Sequence, residues 1–499
     1  MALGYNAATA LTTGGETICI GASAGAALST GGNNLAIGHQ ALVTATTSSY
    51  NLAIGRDALN DTTTGNHNVA IGHWALDANT TASGNIAIGY DALGVNTTGA
   101  TNIAIGDYAL DANTTASNNV AVGTAALGAN STGYGNTALG TSALASSTTA
   151  YNNVAIGHYA GDALTTGYSN VAIGYNCMGA MTTGGNNVAI GDTCFNTANS
   201  ASATQNVFVG QYVASGAVAN TGNVGVGYLA LNAATSGIDN TCVGRMAGDS
   251  ITTSGANVLI GAYAGQKITT GDVRMVAVGF RACEDTVTST GNTGVGQYAL
   301  TNAVEGYNTG LGAYSGDTIT TGQTNTCIGY GADVSASGGN NQNVFGGNVT
   351  GSADSTFTFG HSTTDTTCTN GGTTWSAPSD IRLKEDIQDE VVGLDFINEL
   401  RPVTFRWKKE KDVPEDMVAH GEGSEERVMD GKYNHGFVAQ EVKEVIDNTP
   451  DLKEGFDMWT EDEMDGRQRI GEGALVPMLT KAIQELSAKV EVLEKQLNN

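Results

Sequence analysis

Ser379, Asp380 and Lys384, in the stretch Ser-Asp-Ile-Arg-Leu-Lys, are the residues whose types and spacing best suit covalent chemistry. A serine hydroxyl becomes a nucleophile when a base takes its proton, and a lysine with its pKa lowered by burial can be that base. Five positions separate Ser379 from Lys384, so a bend or one helical turn must bring them together, with Asp380 placed to orient them. A serine can also attack the carbonyl that precedes it, in an N→O acyl shift. His435 is a supporting candidate for the same site. Taken alone, Ser379-Asp380 reads as a helix cap and Lys384 as a solvated charge.

The same stretch is a compositional border. Residues 1–378 hold five basic side chains (Arg56, Arg245, Lys267, Arg274, Arg281) and 19 acidic ones, so about 6% of positions are charged; residues 379–499 reach about 37%. The net charge of −27 divides into −14 and −13 across that border, and neither part offers the positive surface that a phosphate backbone requires. Nucleic acid is therefore not an expected partner. Met1 is followed by Ala-Leu-Gly, with no secretory leader and no run of 18 apolar residues, which predicts a protein made in a cytoplasm without membrane insertion.

The seven cysteines are odd in number, contain no CxxC pair and lie far apart, so neither a disulfide framework nor zinc is indicated. Cys177 and Cys194 share a column of adjacent repeats and could approach each other; small buried side chains are the ordinary reading. No metal or cofactor is expected.

A length of 499 residues would suggest about three domains, but internal repetition overrides that prior. A motif of the form Asn-Val-Ala-Ile-Gly recurs with its glycine at Gly4, Gly21, Gly38 and onward in steps of 17 to Gly191, then from Gly210 to Gly346 with small slips. So strict a period means one structural unit per repeat, stacked in a line. Within each unit, pairs such as Leu35/Ile37, Val69/Ile71 and Val154/Ile156 flank a residue that is usually alanine, the alternation of a short strand with one face buried. Asparagine stands four before the glycine, from Asn34 to Asn257 without a break, which predicts an internal hydrogen-bonded ladder. Met275 interrupts it, so a local irregularity is expected there. An Ala-Leu pair (Ala41-Leu42, Ala58-Leu59) and a Thr-Thr-Gly turn complete the unit, giving two short strands and two turns per coil.

The repeats resemble the left-handed parallel β-roll head of trimeric adhesins over about residues 1–346. That resemblance implies three chains side by side, each roll burying its small-residue face against its neighbours. Because the first glycine is already Gly4, the N-terminal end is expected to dock on another protein or be a terminus itself. The column after the glycine (His39, Arg56, Tyr90, Asp107, Tyr228, Arg245) varies as a solvent face does, although aromatic rings also stack on sugars. Between residues 347 and 378 the period fails, and short strands around Val349, Phe357-Phe359 and Trp375 are expected to cap the solenoid as a tip.

Downstream lie a strand-like Arg401-Pro402-Val403-Thr404-Phe405-Arg406-Trp407, a charged loop from Lys408 to Asp430, and His435-Gly436-Phe437-Val438-Ala439-Gln440-Glu441-Val442. Leu479, Ile483, Leu486, Val490, Leu493 and Leu497 then form a heptad seam, a coiled coil over about 476–499. With Ser379 to Lys384 these elements resemble the intramolecular chaperone domain of phage tailspikes and tail fibres, called peptidase S74, over about 378–499. The resemblance implies a trimerising domain that assists folding of the preceding β-structure and then cuts itself off before the serine, between Pro378 and Ser379.

The expected protein is mainly β: a parallel β-solenoid of 17-residue repeats (1–346), a cap (347–378) and a small α+β chaperone domain (379–499), assembled as a homotrimer. It would be a virion tail fibre, assembled in the host cytoplasm, that binds a bacterial surface glycan or outer-membrane component and is held by another tail or baseplate protein. The only enzymatic step expected is single-turnover self-cleavage. A cellular trimeric adhesin is the alternative favoured by the roll. A polysaccharide-degrading tailspike is a second, opposed by the lack of a recurring close pair among the 19 acids. An ice-binding solenoid is remote, since no flat Thr-x-Thr face repeats.

Overall fold

The structure is a computed structural model and describes residues 1–196, 203–216, 221–270, 274–288, 290–429, 431–452, 456–462 and 465–497. Asp430, at the end of the expected charged loop, and residues 498–499 of the expected coiled coil lie outside the described residues. The chain forms two compact units, residues 1–378 and 379–499.

The first unit is a parallel β-solenoid. The coils contribute short strands, three residues long in Leu35–Ile37, Leu52–Ile54 and Val69–Ile71, each paired in register with the strand one repeat on (Leu35 with Leu52, Ala36 with Ala53, Ile37 with Ile54). The ladder passes through Asn343–Gly347 and continues one rung beyond the repeats, where Thr356–His361 pairs in parallel and sets Gly360 against Gly346. Thr364–Thr369 then turns back antiparallel.

The glycine column follows from backbone geometry. Gly38 has φ +141°, and a Cβ there would stand 2.2 Å from the Gly55 carbonyl oxygen, so no other residue fits between stacked rungs.

Two expectations about the coil are corrected. The face buried by each strand is the alanine face: Ala36, Ala53, Ala70 and their equivalents are fully buried inside the coil, while Leu35, Ile37 and their equivalents point outward and stay partly exposed. The small-residue face therefore cannot be the one that meets neighbouring chains. The reason is space, because the interior is filled by the leucine column Leu42, Leu59, Leu76 and Leu93, which leaves room only for a methyl group opposite. Secondly, the Ala-Leu half of the coil is a run of turns rather than a second strand. Leu42 and Leu59 have φ +56° and +52°, which no strand accommodates, and their amides instead donate to the next rung, Leu42 to Ala58 O at 2.9 Å. Burial of each leucine, worth about 1.5–3 kcal/mol, offsets a left-handed backbone that costs about 1–2 kcal/mol.

The asparagine ladder forms inside. Asn68 Oδ1 accepts from the backbone amide of Asn85 at 3.0 Å, and Asn85 Nδ2 donates to Gly99 O at 2.9 Å. At Met275 the side-chain ladder stops, yet its amide still donates to Asn257 Oδ1 at 2.9 Å and the strands stay in register. A second buried ladder, Asn79, Asn96, Asn113 and Asn130, runs through four rungs that the first ladder already joins and was not anticipated. All seven cysteines are free and buried; the neighbouring thiol of Cys177, then burial, pushes the Cys194 thiol well above its ordinary pKa.

The second unit packs helix α1 (Leu394–Glu399) and helix α2 (Ala439–Asn448) with the start of helix α3 (Val476–Leu497) around Phe396, Leu400, Val442, Met458, Leu475 and Met478. The strand-like segment after Arg401 is a strand at Val403–Phe405, antiparallel to Asn434–Gly436, and Trp459–Glu461 pairs with Gln468–Ile470. Among the described residues no helix is long and apolar enough to cross a membrane.

Candidate functional site

The stretch after Pro378 folds back on itself through one tight turn. Asp380 caps a short 3-10 helix, Ile381–Leu383, its Oδ1 accepting from the Arg382 amide at 2.8 Å. The Lys384 amide closes the turn on Ile381 O at 3.2 Å. That single turn is what a five-residue separation needs: it brings Lys384 Nζ to 2.7 Å from Ser379 Oγ.

Asp380 does not join that pair. Its carboxylate grips the Arg382 guanidinium through Nε at 3.0 Å and Nη2 at 2.5 Å. This ion pair, with the amide bond from Arg382, holds the Asp380 carboxyl below its ordinary pKa. The partner Arg382 is two positions away, so its role could not be read before the turn was known. His435 is exposed on the strand that pairs with Val403–Phe405, opposite Thr404, and among the described residues no hydrogen bond or ion pair links it to Ser379 or Lys384.

Ser379 and Lys384 are both exposed in the single chain. Their geometry is that of a nucleophile in hydrogen-bond reach of a base. A lysine acts as base where water is excluded from its ammonium, so the remaining requirement is a cover over the turn. Aliphatic side chains stand next to it uncovered: Ile381 is 72% and Leu383 70% exposed.

Among the described residues no group of three or more His, Cys, Asp or Glu side chains could hold a metal ion. The solenoid does bring carboxylates together in a way the sequence pattern did not show. Asp317 and Asp333 stand on adjacent rungs, where the Thr318 amide donates to Asp333 Oδ2 at 3.2 Å, and burial first, then the charge of Asp333, raises the Asp317 pKa. A second feature missed from single columns is a strip of aromatic rings and arginines, formed where the first and second positions after each glycine interleave between rungs.

No curated protein and no solved structure matches the chain. Residues 379–450 match the Peptidase S74 family, described as chaperone of endosialidase, and this segment with the solenoid of 17-residue repeats fits a phage tail fibre or tailspike with a C-terminal chaperone.

Proposed function

We propose that the chain is the protomer of a trimeric phage tail fibre that contacts a bacterial surface. Its C-terminal unit directs trimerisation and folding, then cuts itself off between Pro378 and Ser379. The observation that carries this reading is the 2.7 Å hydrogen bond from Lys384 to Ser379 at the first residue of the S74 match.

The apolar surface left in water supports trimerisation. Along α3, Leu479, Ile483, Leu486, Val490, Leu493 and Leu497 are between 42% and 85% exposed, a heptad seam left largely in water. On the solenoid the outward strand positions, such as Ile105, Leu139 and Leu311, form aliphatic rows running from rung to rung. Three copies packed on these rows and seams would bury both.

A uniform repeat lets three chains slip by a whole rung at small enthalpic cost, so a C-terminal trimer that sets the starting register is useful. Cutting it away afterwards leaves the fibre kinetically trapped. In this reading residues 1–346 are the shaft, 347–378 a capping tip, and 379–499 a scaffold used once. Another tail or baseplate protein holds the N-terminal end, and the fibre assembles in the host cytoplasm for incorporation in the virion. The test is the mass and oligomeric state of the expressed chain: two fragments joined at Pro378/Ser379 and a trimeric larger fragment are expected. A single monomeric species of 50.7 kDa would sink the proposal.

A second reading, a polysaccharide-degrading tailspike, is favoured by one observation, the Asp317/Asp333 pair on adjacent rungs, because glycoside cleavage uses two neighbouring carboxyl groups and burial raises the pKa of both here. Release of oligosaccharide from a host capsule, lost in Asp317→Asn, would support it.

A further inference from the structure

The solenoid's basic side chains are few and unevenly placed: four of the five in residues 1–378 lie between Arg245 and Arg281. Two of them, Arg245 and Arg281, are set among aromatic rings. The Arg245 guanidinium carbon lies 5.2 Å from the Tyr263 ring centre, and that of Arg281 lies 5.5 Å from Tyr263, 5.4 Å from Phe280 and 5.9 Å from Tyr298. The rings follow one another along the rungs, Tyr263 to Phe280 at 6.0 Å, Phe280 to Tyr298 at 5.4 Å and Tyr298 to Tyr314 at 5.2 Å. Arg245 has no ion-pair partner among the described residues, and Arg281 approaches Glu284 only to 3.5 Å. Arg245 and Phe280 are exposed.

We infer that this strip is a binding site for a linear acidic glycan, laid along the solenoid axis. The inference rests on the reading of the solenoid as a surface-binding fibre and adds where it binds and what. Each part of the strip matches part of such a ligand. Ring faces and edges take the C–H faces of pyranoses, and a rung spacing of about 4.8 Å is close to the length of one sugar in an extended chain. Guanidinium groups take carboxylates in two-point contact, and rings on either side hold them in place. Charge favours an acidic glycan over a neutral one: the unit carries a net charge of −14 and four of its five cations lie in this stretch, so the guanidinium groups here are where a carboxylate finds a partner. The same overall charge argues against a nucleic acid, whose denser phosphates would meet more repulsion.

The test titrates the product of expressing the full chain with polygalacturonate, with its carboxyl-reduced counterpart, and with single-stranded DNA of similar length. Polygalacturonate should bind, with affinity falling as salt rises, and the double variant Arg245→Gln/Arg281→Gln should bind at least tenfold more weakly. Arg56→Gln, a basic residue outside the strip that pairs with Asp57, should bind as the parent does. Equal binding of the neutral polymer, tighter binding of DNA, a salt-independent affinity or an unaffected double variant would each overturn the site. The mass and oligomeric state of the same preparations separate the two claims. A cleaved trimer that ignores polygalacturonate overturns the glycan site alone. An uncleaved monomer that binds it through Arg245 and Arg281 overturns the fibre reading and leaves the site standing.

Discussion

Lys384 Nζ and Ser379 Oγ lie 2.7 Å apart across one turn of 3-10 helix, both in solvent. If this pair performs the cut, Ser379→Ala should yield only the intact chain and Lys384→Gln should slow the cut by about 10²-fold or more. Asp380→Asn acts differently, since Asp380 binds Arg382 and caps the turn. It should slow the cut only as far as the turn loosens, and less than Lys384→Gln does. Timed mass spectrometry of the three variants checks the order.

The pH dependence of the solenoid should run opposite to that of a protein held by ion pairs. Burial, then the charges of Asp61, Asp57 and Asp91, raises Asp77 to a pKa of about 6, and burial raises Asp91, Asp111, Asp162 and Asp249 as well. A carboxyl with a raised folded pKa binds its proton more tightly in the fold than in the unfolded chain. Stability is therefore highest at about pH 4 and falls as pH rises to about 6. Asp77 is partly exposed, so its share after solvent screening is on the order of 1 kcal/mol. Thermal unfolding should show a lower Tm at pH 7 than at pH 4, and Asp77→Asn should recover part of that loss at pH 7.

The glycine column gives a matched pair of substitutions. A Cβ on Gly123 would lie 2.5 Å from the carbonyl of Gly140 at φ +135°, whereas a Cβ on Gly15 meets nothing within 4 Å. Gly123→Ala should cost at least about 2–3 kcal/mol and open the neighbouring rungs, and Gly15→Ala should be neutral within about 1 kcal/mol. Hydrogen exchange around residues 106–140 distinguishes a local opening from a global one.

The buried ladder makes a similar claim about a polar residue. Asn102 Oδ1 accepts from the Asn119 amide at 3.0 Å, and its Nδ2 donates to Ala116 O, which also accepts from Asn113. Asn102→Ala orphans one buried amide and leaves a small cavity, a cost of about 2–3 kcal/mol. A melting temperature unchanged from the parent would show that the ladder contributes nothing.

What could be read from the sequence was whatever recurs. Glycine and asparagine repeat at one position per rung, so their columns, the stacking and the solenoid were visible at once. The inside and outside of each strand were not, because Leu35-Ala36-Ile37 states which side chains share a face without saying which face is inward. The leucine column decides that, and its left-handed backbone at Leu42 was hidden because leucine is no turn residue. At the site, Ser379 and Lys384 were legible as a pair one turn apart. The capture of Asp380 by Arg382 was not, since it exists only once that turn has formed.

The last prediction concerns the seam on α3. Its first turns are tied into the protomer, with Met478 and Ala482 buried and Glu485 accepting from the Leu394 amide at 2.9 Å. Leu486, Val490 and Leu493 lie on the exposed seam. A charge at a heptad core position disfavours a three-stranded coil while leaving a surface residue of the single helix nearly untouched. Leu486→Glu/Leu493→Glu should therefore keep the helical circular dichroism of the C-terminal unit but shift the uncut chain from trimer to monomer in sedimentation. If the exposed Ser379–Lys384 turn is covered by neighbouring copies, the same variant should also stop the cut, although it touches neither residue. A monomer that still cleaves would show that one chain suffices for the chemistry.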